Sequence, residues 1–283
     1  MADQGDFVTD YELSLAAMAG LGWHVETVPW RDQGTAWDDY DAVYICTPWD
    51  YPQHADQFMQ VLETIDQSSA VLVNEISLVR WSLAKTYLRD LAQRGAAIVP
   101  CIWLDDLDVA QIPQWFARFD TDKLVIKPAV GGNAMDTFVL HKPLPAELAS
   151  SLAVTFRQRP FLVQPFIENI QTEGEFSLFF FSGDYSHAIQ KVPKSGDFRV
   201  QEEHGAAIQS IKPSQSLIEV AKAVLDLVDP QPVYVRADFV RSDDNQYLLM
   251  ELELIEPSLY LRTDSGAAAR FAAAFDNYIK ETA

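Results

Sequence analysis

Leu124-Val125-Ile126-Lys127-Pro128-Ala129-Val130-Gly131-Gly132-Asn133-Ala134-Met135-Asp136-Thr137 reads as a short apolar strand that delivers a lysine at its end and then turns through small residues. Glycines let backbone N–H groups approach and surround phosphate oxygens, and Lys127 adds a point charge beside Gly131 and Gly132. The order is not that of a Walker loop, where the lysine follows the glycines in GxxxxGK[ST]. Alone, the stretch also fits an ordinary surface hairpin, so its meaning depends on its surroundings.

Two further stretches bear on it. Arg236-Ala237-Asp238-Phe239-Val240 and Leu248-Leu249-Met250-Glu251-Leu252-Glu253 read as consecutive strands joined by a polar turn. With side chains alternating at a period of two, Glu251 and Glu253 share one face. Three carboxylates (Asp238, Glu251, Glu253) in otherwise apolar strands repel one another without a cation. Magnesium relieves that repulsion and also takes phosphate oxygens; the bland alternative is a solvent-facing glutamate on an edge strand. Lys191, Lys194 and Arg199 lie within nine residues, in a chain with 21 lysines and arginines. With the Ser195-Gly196 turn among them, they suggest either a loop that closes over a polyanion or a solvated basic loop.

Composition narrows the classes. The net charge of −20 repels phosphodiester backbones, which argues against a nucleic-acid partner. No apolar run approaches the roughly 18–20 residues that span a bilayer, and residues 1–9 lack a signal-peptide pattern, so no membrane is expected and the cytoplasm is the default. Those residues also lack the apolar strand that usually opens an α/β sheet; a start assigned too late is the favoured explanation over a sheet one strand short. Cys46 and Cys101 have no CxxC spacing and read as small buried thiols. The five histidines show no zinc spacing. Trp49, Tyr51, Trp81, Trp103 and Tyr260 are pocket candidates, although core positions explain most such aromatics. The segment 47–52 is of most interest, because it follows a strand of the first unit.

Helix-like and strand-like segments alternate throughout, so the fold class is α/β. Helices are expected at 11–21, 54–65, 77–94, 145–157, 214–228 and 265–279. Strands are expected at 23–28, 41–47, 70–73, 98–102, 124–127, 137–140, 161–165, 175–181, 186–191, 233–240 and 247–254. The division that follows is an N-terminal open α/β unit at 1–76, a glycine-loop lobe at 77–163 and a second lobe at 164–283.

Four motifs in this order, VIKP with the glycine loop, VQPFI…GEF, GDFR and RADF…MELE, resemble the ATP-grasp superfamily across residues 75–265. The likeness is to the branch with glutathione synthetase, the ribosomal-protein glutamate ligases and D-alanine–D-alanine ligase. The run from Glu251 to Leu261, with Asn74-Glu75, Trp81 and Lys85 upstream, resembles the cyclo-ligase subgroup of cycloserine biosynthesis. This resemblance implies an ATP-grasp fold behind a pre-ATP-grasp domain, and an ATP-dependent ligase that joins a small amino-acid-like carboxylate to an amine or thiol through an acyl phosphate. It further implies two magnesium ions, with manganese able to substitute, and a homo-oligomer.

Residue by residue, the resemblance assigns Lys85, early in the long helix, and Lys127 to the ATP phosphates under the loop that begins at Gly131 and Gly132. Gln164, with the backbone of Phe166 and Ile167, would read the adenine edge, and Glu175 the ribose. The family often has a carboxylate where Gln164 stands. Asp238, Glu251 and Glu253 would hold magnesium, although most relatives carry asparagine at the last position. Arg236, Arg199 and Lys191 would meet the reacting oxygens. Arg262 either holds a substrate carboxylate or forms a surface ion pair. A non-catalytic nucleotide-binding or regulatory protein is the alternative, and an ATP-grasp kinase or carboxylase is favoured least.

Overall fold

The computed structural model describes residues 8–282, so most of the start-of-chain question at 1–9 lies outside the described residues. The chain opens with helix α1 (Glu12–Gly20), strand β1 (Ala42–Tyr44), helix α2 (Ala55–Asp66) and strand β2 (Val71–Val73). Strands β1 and β2 pair in parallel with Val43 opposite Leu72. Helix α2 buries Phe58, Leu62 and Ile65, whose spacing of four and three puts them on one face. The strand expected at 23–28 does not form.

The long helix expected over 77–94 is instead two helices, α3 (Ile76–Ser82) and α4 (Tyr87–Gln93). The break is held from outside: the Lys85 N–H donates to the Ala129 carbonyl at 2.7 Å, and Trp103 Nε1 donates to the Lys85 carbonyl at 3.2 Å. Hydrophobic spacing carries on through the break, which is why the pattern reads as one helix.

A four-stranded antiparallel sheet follows. Its members are β3 (Ile102–Leu104), β4 (Lys123–Pro128), β5 (Phe138–His141) and β6 (Phe161–Pro165), in the order β3-β6-β4-β5. The strand expected at 98–102 is displaced, because Ile98 makes only an isolated bridge to Leu249 and β3 begins at Ile102. Helices α5 (Ile112–Phe119) and α6 (Ala146–Thr155) cover one face, closing a core of Trp115, Phe116, Leu152, Phe156 and Phe161. Helix α5 has no counterpart among the expected elements.

After the short α7 (Asn169–Thr172) come β7 (Glu175–Phe181), β8 (Asp184–Val192), β9 (Ala207–Ser210), helix α8 (Gln215–Leu225), β10 (Tyr234–Arg241), β11 (Tyr247–Glu253) and helix α9 (Ala267–Thr282). The five strands form an antiparallel sheet in the order β11-β10-β7-β8-β9. One core joins α3, α4 and α8 to this sheet through Leu78, Leu88, Leu91, Leu217, Phe180 and Val235. Helix α9 packs Phe271 and Phe275 against Met18 of α1 and Tyr234 of β10. Each such ring contributes roughly 1.5–3 kcal/mol by burial. Trp23, in the segment expected as a strand, docks edge-on to Phe275 at 5.2 Å and donates from Nε1 to Asp276 at 3.1 Å. Helix docking rather than a ladder therefore holds that segment. Among the described residues no helix is long and apolar enough to cross a membrane.

Two buried side chains fasten the small parallel sheet to the large one. The Tyr234 hydroxyl reaches the carbonyls of Val73 at 3.1 Å and Ile255 at 2.9 Å. Asn74 donates to the Tyr234 and Leu254 carbonyls, both at 2.9 Å, and accepts from the Val233 N–H at 2.6 Å. The anchors thus fall just before Arg236 and Asp238 on β10 and just after Glu253 on β11.

Candidate active site

A cleft runs between the four-stranded and five-stranded sheets, with Lys127 on one wall and Asp238 and Glu251 on the other. At one end the walls are apolar: Val99, Val125, Phe166, Ile167 and Met250 belong to one cluster and line the opening. Such a slot suits a flat aromatic ring, and Gln164 supplies a polar group at its back. The Gln164 Nε2 donates to Cys101 Sγ at 3.0 Å. The Phe166 N–H already donates to the Lys123 carbonyl at 3.0 Å, and the Ile167 carbonyl accepts from the Ile170 N–H at 3.1 Å. Both of these backbone groups are therefore engaged within the fold.

Lys85 occupies the break between α3 and α4, not the body of a helix. Its Nζ bonds the Gly131 carbonyl at 2.6 Å and Glu251 at 2.6 Å, so it joins the glycine loop to the acidic strand. The left-handed positions of that loop are Asn133, Ala134 and Asp136, with φ of 52°, 53° and 55°. At Gly131 the need is steric instead, because a Cβ would lie 2.9 Å from Pro128 Cγ. Asp136 is held by Arg159 at 2.6 Å, which pins the far side of the loop. Among the described residues Lys127 has no carboxylate within ion-pair distance, and it lines the cleft with its charge available to an anion.

The register of the large sheet builds the charged face. Asp238 lies opposite Glu251 on one side and Ser177 on the other, Arg236 lies opposite Glu253, and Glu175 lies opposite Lys191. Directly opposed residues share a face, so strands distant in sequence bring these side chains together. Arg236 bonds Asp238 through Nε at 3.0 Å and through its terminal nitrogen at 3.0 Å, and it also bonds Glu253. Lys191 Nζ bonds Glu175 at 2.9 Å and lies 3.7 Å from Asp238. The Ser177 hydroxyl donates to Asp238 at 2.5 Å.

Burial of so many ions is costly unless each is paired. Burial by itself raises the Asp238 carboxyl, but Arg236 and Lys191 together hold it below its usual range. Glu251 is likewise held low by Lys85 and Lys127 against the effect of burial. Glu253 has less compensation: burial, with Asp238 and Glu251 nearby, pushes it up to about 7 despite Arg236. Burial and the Glu253 charge push Glu256 up to about 8, and the Tyr51 hydroxyl bonds it. The cleft thus carries an excess of acid that an added cation relieves.

Comparison with known proteins follows from this geometry. The cycloserine biosynthesis protein DcsG of Streptomyces lavendulae is 30% identical over 288 residues, covering 96% of this chain and 95% of that protein. The chain belongs to the ATP-grasp ligases. Within them it falls in the cyclo-ligase subgroup, as the sequence motifs imply, and it is an ATP-dependent ligase by class. The family described as D-cycloserine synthetase DcsG, N-terminal domain, matches residues 1–74. The crystal structure of D-cycloserine synthetase DcsG superposes with a TM-score of 0.85 at 28% identity, covering 94% of this chain and 93% of that one. The ATP-grasp ligase PsnB, complexed with a phosphomimetic variant of its minimal precursor, Mg and ADP, shares the fold with a TM-score of 0.56 at 16% identity. That match covers 81% of this chain and 67% of PsnB.

Most of the expected site residues of this ATP-grasp ligase line this cleft: Lys85, Lys127, Gly131, Gly132, Gln164, Phe166, Ile167, Glu175, Lys191, Arg199, Arg236, Asp238, Glu251 and Glu253. Several sit differently from their sequence-based placement. Lys191 closes the strand expected at 186–191 and is buried in β8 opposite Glu175, apart from the loop that holds Lys194 and Arg199. Arg199 is gripped by Asp197, whose carboxylate accepts from its guanidinium at 2.7 Å and from the Arg199 N–H at 3.0 Å. The three acidic residues do not form a ready-made metal cage among the described residues; Arg236 pairs with Asp238 and Glu253, and Lys85 pairs with Glu251. Arg262 pairs with Asp10 at 3.4 Å and with Glu202, and it does not line the cleft. Trp49, Tyr51 and Tyr260 line it, whereas Trp81 and Trp103 pack on the α3–α4 core. Sequence reasoning missed Ser177, Glu256 and the Cys101–Gln164 contact. Glu256 alone had a signal, as a further acid just past the Glu251–Glu253 pair.

Proposed function

We propose that this ligase uses ATP to activate the carboxylate of a small amino-acid derivative as an acyl phosphate, which an amine captures with release of ADP and phosphate. The capturing nitrogen belongs to the same molecule, so the product is a ring; the full-length likeness to a cycloserine synthetase supports this. The observation that carries the reading is the placement of Lys127, with no carboxylate within ion-pair distance among the described residues, across the cleft from the Asp238–Glu251–Arg236 face.

In this reading the apolar slot receives the base, Glu175 the ribose, and Lys85 and Lys127 the phosphates. Asp238, Glu251 and Glu253 are the oxygen donors for two magnesium ions, with manganese able to replace them. Magnesium with few protein ligands and bound phosphate oxygens is that ion's usual mode, and the acid excess at Glu253 suits it. Once bound, it neutralises phosphate charge. Arg236 and Lys191 hold the reacting oxygens by charge and hydrogen bonding, which is most of what phosphoryl transfer requires. The divisions expected at 1–76, 77–163 and 164–283 stand for the N-terminal unit and the two lobes that enclose the reactants, although the 163/164 boundary falls within β6 and α3–α4 pack on the five-stranded sheet.

The test is magnesium-dependent ADP release against a panel of amino acids and β-substituted serine derivatives, with mass detection. A product lighter than one substrate by a single water, formed without a second substrate, is the expected result. Lys127→Ala and Asp238→Asn each lower ADP release by roughly a thousandfold or more, with circular dichroism unchanged. Normal turnover in either variant refutes the site assignment, and a product that needs a second substrate refutes ring closure.

A further inference from the structure

We infer that Cys101 is a positioning residue that fixes which end of the Gln164 amide faces the nucleotide base, and so makes the cleft selective for a 6-amino purine over a 6-oxo purine. The inference rests on the reading of Gln164 as a base-contacting side chain.

The antiparallel register pairs Ile102 with Val163, so Cys101 stands opposite Gln164 at the next position of the same two chains. The Cys101 Sγ lies 3.1 Å from the Val99 carbonyl oxygen and 3.0 Å from Gln164 Nε2. A carbonyl only accepts, so the single thiol proton is directed at Val99 and the sulfur is left as an acceptor toward Gln164. An amide nitrogen satisfies that sulfur, whereas the amide oxygen in its place would oppose acceptor to acceptor. This assigns the Gln164 orientation without reference to any ligand.

Three further observations make the lock effective. Gln164 is only 4% exposed, so the side chain has little room to reorient without a partner. Burial pushes the Cys101 thiol up to about 11, so it keeps its proton at neutral pH and the pattern of donors is stable. Gln164 also lines the cleft beside Phe166 and Ile167. With Nε2 held by sulfur, the Oε1 end is the one offered to a ligand. An exocyclic amino group donates to that oxygen, while a 6-oxo group meets it as a second acceptor and leaves both unpaired.

The test is calorimetric binding of magnesium-ADP and magnesium-IDP to the full chain, with no organic substrate needed. The unmodified protein binds ADP more tightly than IDP by roughly tenfold or more. Cys101→Ala frees the amide to turn, IDP gains affinity, and the preference falls to about threefold or less. Cys101→Ser, whose hydroxyl can donate to Val99 and accept from Gln164, keeps the preference. If Gln164→Leu loses the preference but Cys101→Ala keeps it, the positioning role is overturned and the base-contact reading stands. If Gln164→Leu keeps the full preference, the base-contact reading itself is wrong. Equal loss in the alanine and serine variants reduces Cys101 to a packing residue and overturns the inference.

Discussion

Replacing Asn74 with alanine removes three hydrogen bonds from a position that is 1% exposed. The carbonyls of Tyr234 and Leu254 lose a donor, and the Val233 N–H loses its acceptor at 2.6 Å. A buried polar group left without a partner costs about 1–3 kcal/mol. Water entering the vacated space recovers part of that for three neighbouring groups, so the expected loss is about 3–5 kcal/mol. For a chain of this size that corresponds to a fall in Tm of roughly 10 °C. Asn74→Asp discriminates further. It keeps the acceptor for Val233 but turns a carboxylate on two carbonyl oxygens, so at neutral pH it is less stable than the alanine variant. Its folded-state carboxyl is raised by that surrounding, so its deficit shrinks as pH falls from about 7 to about 5. Urea denaturation with far-ultraviolet circular dichroism measures all three proteins. A cost below about 1 kcal/mol for Asn74→Ala, or an aspartate variant as stable as the alanine one, would refute the claim that this amide clamps the two sheets together.

Acid sensitivity and nucleotide affinity supply two more tests. His187 is stacked on Phe179 with ring centres 4.2 Å apart, bonds the Leu259 carbonyl at 2.9 Å, and is pushed down to about 4 by burial. Between pH 6.5 and 4 the unfolded chain therefore binds more protons than the folded one. Stability falls as pH drops through that window, by up to roughly 3 kcal/mol, and this component is flat below it. His187→Gln should flatten the corresponding slope of urea midpoint against pH, and an unchanged slope would exclude His187 as its source. Lys85→Met removes the link between Gly131 and Glu251, both bonded at 2.6 Å, and should weaken magnesium-ADP binding by roughly tenfold or more in calorimetry. Unchanged affinity would take Lys85 out of the nucleotide site.

Much of the site is legible in the amino-acid sequence. The strand ending in Lys127, the small-residue loop after it and the alternation that puts Glu251 and Glu253 on one face are local patterns, and local patterns survive in a one-dimensional reading. Most helices and strands are legible for the same reason, with boundaries shifted by one to three residues at caps and strand ends. The failures share a cause. The break at Lys85 depends on the Ala129 carbonyl, more than forty positions away, and the failed strand at 23–28 is held by side chains of α9. Lys191 groups in sequence with the loop residues Lys194 and Arg199 although it ends an expected strand, and its partner Glu175 is set by the pairing of β7 with β8.

The sequence by itself determined the α/β class, the order of the four motifs and the residue types of the charged face, because each element and each motif is a local pattern of about a dozen residues or fewer. The tertiary structure alone decided how those charges are neutralised. Repulsion among Asp238, Glu251 and Glu253 predicts some cation; the sheet register supplies Arg236 and Lys191, and the break between α3 and α4 supplies Lys85. Pairing energies between buried ions depend on separations of a few ångströms, and only the packed strands set those separations.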